Sequence, residues 1–237
     1  MEYMKSIPDK FFDLAVVDPP YGINAPNMTM GSNLNRKHGG YNNESTAQRI
    51  KKGRLNQGAG KLKNRALNTM QCDWDFCPPS QDYFRELERV SKNRIIWGGN
   101  YFQLPPTRGI LCWDKMQPWE NFSQFELAWT SFDCPAAIIH LSNTGGANKE
   151  IKIHPTQKPI ALYHWVLKKF AKQGDRILDT HLGSGSSRIA AYKMGFDFYA
   201  TEIDKDYFLA QEKRFKDECL GEIDTPKGCL KQMNLFE

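Results

Sequence analysis

Short apolar runs cut off by polar or proline-rich punctuation alternate with stretches of helical period along most of the chain. Leu14-Ala15-Val16-Val17 stops at Asp18-Pro19-Pro20-Tyr21, a pattern that predicts a buried strand ending in a stiff loop. Further strands are predicted over 94–97, 109–113, 125–132, 176–179 and 198–201, with a weak one over 137–141. In the fourth of the six, counting from the first run, Phe125, Leu127 and Trp129 alternate with Glu126, Ala128 and Thr130. Helical spacing links Tyr83, Leu87 and Val90 behind Ser80, a candidate N-cap. It also links Ile160, Tyr163, Val166, Leu167 and Phe170, with Lys168, Lys169 and Lys172 facing outward. A helix is predicted over 188–194, and a last one behind Asp204 with Tyr207, Phe208 and Phe215. Strands alternating with helices over 237 residues predict one α/β domain, 1–237, with strands 109–113 and 125–132 as an antiparallel edge hairpin.

Two loops in this frame carry candidate chemistry. At Asp18–Tyr21 each proline fixes φ and withholds an N–H, so the rim keeps unpaired carbonyls, a carboxylate and an aromatic ring. Asp18 with a proline carbonyl can accept both hydrogens of an exocyclic amine while Tyr21 stacks on its ring; equally, four such residues occur by chance in an ordinary loop. The second is Gly183-Ser184-Gly185-Ser186-Ser187 after the strand at 176–179, with Glu202 ending the next strand 19 residues past Gly183. In such a βαβ unit the glycines admit a nucleotide-like ligand and the acid bonds ribose hydroxyls. Arg188 stands where a dinucleotide fingerprint needs its third glycine, which disfavours a nicotinamide oxidoreductase, and no Gly-Lys-Ser/Thr makes a phosphate loop. A nucleoside such as S-adenosylmethionine suits what remains.

Charge changes the picture at one place. The net charge is +5, yet residues 33–68 alone carry nine Lys/Arg against Glu44. Residues 24–72 lack apolar periodicity and read as a long basic loop whose Arg36, Lys37, Arg49, Lys51, Lys52 and Arg54 grip DNA phosphates, or as a solvated insertion. Six cysteines form no C-x-x-C pair, so no zinc site or disulfide framework is expected. With a polar amino terminus and no apolar run of membrane length, a cytoplasmic protein without membrane partner is expected.

Asp18-Pro19-Pro20-Tyr21, His154-Pro155-Thr156-Gln157-Lys158-Pro159, the stretch Asp179 to Gly185 and Glu202 together resemble the amino-methyltransferases of DNA, and their order resembles the permuted beta group. The stretch from Tyr83 to Trp113, with Ile96-Trp97-Gly98-Gly99-Asn100-Tyr101-Phe102, resembles the phage and prophage branch that modifies adenine. The resemblance implies a Rossmann-like methyltransferase fold, a mostly parallel twisted sheet with helices on both faces. It implies methyl transfer from S-adenosylmethionine to adenine N6 in flipped-out DNA, with N4-cytosine transfer or an inactive DNA-binding relative as alternatives. Asp18, Pro19, Pro20 and Tyr21 are then catalytic. Cofactor contacts fall to Asp18, Lys158 (on the methionine carboxylate), Asp179, His181, Leu182 and Gly183, and further to Ser184, Gly185, Glu202 and Ile203. Asp179-Thr180-His181 departs from the family's Asp-Pro-Phe, leaving His181 or Leu182 to replace the Phe contact. No metal is required. Residues 133–153 are a short remnant of the target-recognition region, and a homodimer is carried over from relatives. Trp113-Asp114-Lys115 also resembles a family motif, without a role assignable from physics. A strand and acidic residue usual upstream of residue 1 are lacking, so the sheet is expected to lack or borrow one strand.

Overall fold

The computed structural model describes residues 1–23, 74–117, 123–143, 150–225 and 228–231. The first apolar run becomes β1 (Phe12–Val17), buried along its length except at Asp13. It pairs in parallel with β2 (Ser91–Trp97) on one side and β6 (Arg176–Asp179) on the other. β7 (Asp197–Ala200) continues in parallel beyond β6. On the other flank β4 (Phe125–Thr130) runs antiparallel to β2 and to β3 (Ile110–Asp114), and β5 (Ala137–His140) closes that edge parallel to β3. The seven strands lie in the order β5-β3-β4-β2-β1-β6-β7. The β3–β4 hairpin expected at the edge therefore lies inside it: β4 takes its place against β2, and the weakly patterned β5 supplies the edge. β8 (Glu222–Thr225) and β9 (Gly228–Lys231) form a separate hairpin.

The period-2 alternation of β1 feeds two cores. Leu14 and Val16 pack with Ile95, Trp97 and Ala128 under α3 (Ile160–Phe170) and α4 (Ser186–Lys193). Ala15 and Val17 pack with Ile96 and Leu178 under α2 (Gln81–Val90), joined by Met4 of the short α1 (Glu2–Lys5). Tyr83, Leu87 and Val90 are buried as their spacing predicts. Ser80 holds the N-cap position of α2 without a side-chain bond. Asp204, in contrast, caps α5 (Lys205–Phe215) by accepting from the N–H groups of Asp206 and Tyr207.

The two crossovers place the site. α2 leads from β1 to β2 over one face, and α4 leads from β6 to β7 over the other. Strand order therefore reverses between β1 and β6, and the loops leaving their carboxyl ends diverge around a crevice, the usual ligand position in an open α/β sheet.

Candidate active site

Both loops singled out in the sequence leave that crevice. Leu14 lies opposite Ile177 and Ala15 opposite Leu178, so Asp18 emerges beside Asp179 and the glycine loop that follows it. Segments about 160 residues apart in sequence thus line one crevice.

Asp18 stands in a dense polar cluster. Its Oδ2 accepts from Lys158 Nζ at 2.6 Å and its Oδ1 from the Tyr21 hydroxyl at 2.8 Å. Lys158 also donates to Tyr21 at 3.1 Å and meets Glu126 Oε2, from β4, at 3.0 Å. An ammonium has three hydrogens, and these three partners occupy them all. Lys158 is only 4% exposed, and none of its hydrogens is left for a ligand carboxylate. The Tyr21 hydroxyl has one hydrogen, shared between Asp18 and Glu126 Oε2 at 3.2 Å. The far oxygen of Glu126 is held by Lys115 Nζ at 2.6 Å. Charge therefore alternates along Lys115, Glu126, Lys158 and Asp18. Burial pushes the Asp18 carboxyl up from its ordinary range against the pull of Lys158. Glu126, which burial alone would raise, is brought down to about 2 by Lys158 and Lys115. Each Asp18 oxygen has one partner here, and a carboxylate offers about four acceptor positions, so capacity for an amine remains. Pro19 is buried and Pro20 half-buried behind it.

The Tyr21 ring is fixed as firmly as its hydroxyl. Gly98, with φ +70°, has its backbone against the ring: a Cβ there would lie 2.1, 2.5 and 2.6 Å from Cε1, Cδ1 and Cζ. Such near-equal distances to three adjacent carbons belong to a point over the ring face, so only glycine fits. Tyr101, three residues on, stacks parallel to Tyr21 with centroids 4.9 Å apart, and is 44% exposed.

Across the crevice, Glu202 underpins the glycine loop. Its Oε2 accepts from Gly183 N–H at 2.7 Å and its Oε1 from Asp204 N–H at 2.9 Å. Gly183, at φ +51°, faces open space: a Cβ there would meet nothing nearer than the His154 ring at 3.7 Å. His154 packs against Tyr207 and Trp74. Ile203 is 95% exposed on the rim. Leu182, Ser184 and Asp179 are buried; His181 is driven to about 4 by burial, so its imidazole is neutral, and it packs against Tyr83.

Asp179 accepts from Ser187 Oγ at 2.6 Å and His181 N–H at 2.9 Å, yet burial pushes it up to about 7. A carboxyl whose folded pKa is raised contributes stability that is complete below its unfolded pKa and lost as pH rises through about 7. Asp179→Asn is expected to remove that slope. Thermal melts should show the wild type losing stability relative to the variant between about pH 4 and pH 7, with the difference levelling off above that; parallel slopes would refute the assignment.

Sequence reasoning passed over four residues that build this site. Glu126 and Lys115 belong to the cluster above. Arg214, buried on α5, donates to the Ser184 carbonyl and Ser186 Oγ, both at 2.9 Å, and to Glu150 Oε2 at 2.7 Å. Glu150 in turn accepts the first N–H of α3, from Ile160, at 2.8 Å. The proposed DNA contacts Arg36, Lys37, Arg49, Lys51, Lys52 and Arg54 lie outside the described residues, as does part of the 133–153 segment.

Comparison with known proteins agrees with this geometry. Type II methyltransferase M2.DpnII of Streptococcus pneumoniae is 34% identical over 145 residues, 61% of this chain and 50% of that protein. Type II methyltransferase M.HpaI of Haemophilus parainfluenzae is 31% identical over 87 residues, 37% of this chain and 28% of that one. The chain thus spans half or less of these curated relatives. Among solved structures, the PvuII DNA methyltransferase (cytosine-N4-specific) superposes with a TM-score of 0.51 at 14% identity, over 90% of this chain and 82% of that one, a likeness of fold. The family model N6_N4_Mtase, described as DNA methylase, matches residues 12–213, from the first residue of β1 to α5. That match takes in both rims of the crevice, and the chain belongs to this DNA methylase family.

Proposed function

We propose that the chain transfers a methyl group from S-adenosylmethionine to the exocyclic N6 amine of adenine in DNA. The observation that carries this reading is the shared crevice: a clamped carboxylate, Asp18, on the β1 rim faces a glycine loop underpinned by Glu202 on the β6 rim. The cofactor, when bound, supplies an electrophilic methyl group on a sulfonium.

The residues present fit such a nucleoside. Gly183 leaves a space that any side chain would enter, the Glu202 carboxylate retains acceptor positions for ribose hydroxyls, and exposed Ile203 offers an apolar edge to a base. Lys158, read from sequence as the partner of the methionine carboxylate, is assigned instead to Asp18, because its three hydrogens are occupied there. Glu202→Ala is expected to raise the cofactor dissociation constant by about tenfold or more, since it removes a charge-strengthened bond to the ligand and also frees Gly183 N–H. Titration calorimetry with S-adenosylmethionine measures this; an unaltered constant would take Glu202 out of the site.

For the transfer, an aromatic amine is a weak nucleophile because its lone pair is delocalised. Asp18 accepts an N–H of the amine and orients the nitrogen lone pair toward the methyl carbon. With the methyl group supplied by the bound cofactor, Asp18 would take up the proton that the amine loses and pass it to solvent. Positioning and stabilisation of the positive charge growing on nitrogen account for the rate.

A base within a duplex cannot reach this crevice, so the reading includes base flipping. Tyr21 is already packed against Gly98 and Tyr101, and exposed Tyr101 extends the aromatic surface offered to the extruded ring. The chain order, Asp18 loop first and glycine loop last, supports the permuted arrangement. Asp18 in place of the Ser more frequent in cytosine enzymes supports adenine. The basic 24–72 segment is the proposed DNA contact, with a homodimer carried over from the resemblance and a cytoplasmic setting from the cysteine usage and the polar amino terminus.

Incubation of DNA with tritiated S-adenosylmethionine, followed by hydrolysis and chromatography of the nucleosides, tests the reading. Label in N6-methyladenine is expected. Label in N4-methylcytosine would replace the substrate, and absence of label in any base would overturn the proposal.

A further inference from the structure

The acceptor carboxylate has one cation, but that cation is shared. A simple pair of Asp18 with Lys158 would place a full ammonium and a hydroxyl hydrogen on the two oxygens meant for the amine. Glu126 changes this balance from β4: its Oε2 lies 3.0 Å from Lys158 Nζ and 3.2 Å from the Tyr21 hydroxyl, so it competes with Asp18 for both donors. Lys115 at 2.6 Å on the opposite oxygen keeps Glu126 in place. Lys115 also closes Trp113-Asp114-Lys115, the stretch that carried no role in the sequence.

We propose that Glu126 is a positioning residue for the transfer, holding Lys158 and the Tyr21 hydroxyl so that neither is given over wholly to Asp18 and the carboxylate keeps its acceptor strength for the amine. This rests on the methyltransferase reading above. The groups that face Asp18 are Lys158 ahead of α3, Tyr163 within α3, Tyr83 on α2, Asp179 at the end of β6, Tyr21 on its own loop, and Glu126. Around Glu126 stand Lys115, Lys158 and the half-buried Lys152. Of these, Glu126 is the anion tied to the same lysine and hydroxyl as Asp18. Its charge adds to burial in raising the Asp18 carboxyl, against Lys158.

The test follows Asp18 directly in the protein without cofactor. Aspartate carboxyl carbons are labelled with carbon-13, and the Asp18 resonance is assigned by its loss in Asp18→Asn. Glu126→Gln removes the competing charge and is expected to move the Asp18 titration midpoint to lower pH. Lys115→Met leaves Glu126 less compensated and is expected to move it to higher pH. Opposite shifts support the proposal; unmoved midpoints, or shifts of one sign in both variants, overturn it. Lys115→Met leaves Glu126 untouched and carries the test alone if Glu126→Gln does not fold. In single-turnover methyl transfer the acid limb should move with the midpoint in each variant, whereas a merely structural role would lower the rate evenly across pH. Midpoints that move while the limb stays fixed overturn the link to transfer. A wild-type chain that labels no DNA overturns the functional reading instead, and does so whatever the midpoints show.

Discussion

Asp18→Ala is expected to cut methyl transfer by about 10²–10⁴-fold while leaving the fold and most DNA binding in place. In the proposed transfer the side chain is the acceptor toward which the amine is oriented, and Ala leaves neither oxygen. Lys158 and the Tyr21 hydroxyl keep Glu126 as a partner, so the variant does not strand a buried cation and should melt near the wild type. Tritium transfer in parallel with gel-shift binding measures the two effects separately. Transfer at the wild-type rate would remove Asp18 from the chemistry, and with it the amine clamp. Asp18→Asn is the sharper companion: it retains one acceptor oxygen but turns an NH2 group toward the cluster, and its activity should also be low.

The largest effect on stability is expected at Lys158. Its ammonium, itself buried, stands between two half-buried carboxylates, 2.6 Å from Asp18 and 3.0 Å from Glu126. Lys158→Met leaves those carboxylates facing one another with Lys115 alone in support, a loss of about 3–5 kcal/mol by analogy with broken buried pairs. That is a large fraction of the roughly 5–15 kcal/mol of a whole domain. The sign of its pH dependence follows from linkage. Without Lys158 both carboxyls are raised in the folded state. Their contribution is then complete below the unfolded pKa and falls away as pH rises through the folded values. The deficit of the variant should therefore widen from acid to neutral pH in chemical unfolding, and a deficit independent of pH would contradict the pairing.

The contrast between β1 and β4 explains what the sequence could reveal. β1 and β6 are apolar runs buried on both faces, so their place and direction were legible, and the two loops they carry followed from turn chemistry. α2, α3 and the Asp204 cap were legible for the same reason, since each has a periodic stripe or an N-cap behind it. β4 misleads. Its large apolar row, Phe125, Leu127 and Trp129, invites placement in the core, with Glu126, Ala128 and Thr130 in solvent. The structure buries Ala128 and Thr130 completely and leaves Phe125 51% exposed. The small row faces inward because β4 packs there beneath Trp97 and Trp113, which fill the volume. Glu126 thus enters the site on a row that alternation alone assigns to water. Its partners come from β3 and from the turn before α3, so no local spacing could link them. Lys158 was legible by motif, but its partner was not, because burial of a lone lysine leaves no mark in the chain. Arg214 and Glu150 were missed on similar grounds: each is one charged residue among many on a polar stretch.

The strut from Arg214 bears on how small the working unit can be. It joins the turn ahead of α3, the glycine loop and the last long helix into one braced body, with Glu150 receiving on one side and Ser184 and Ser186 on the other. Every recognisable motif ends by Glu202, so a truncation drawn from motifs alone would stop there. Such a fragment would lose the guanidinium that ties the loop down, and with it the Asp204 cap and the Tyr207 wall behind His154. The shortest fragment that keeps the glycine loop braced therefore extends through α5, well past the last residue that a motif would mark.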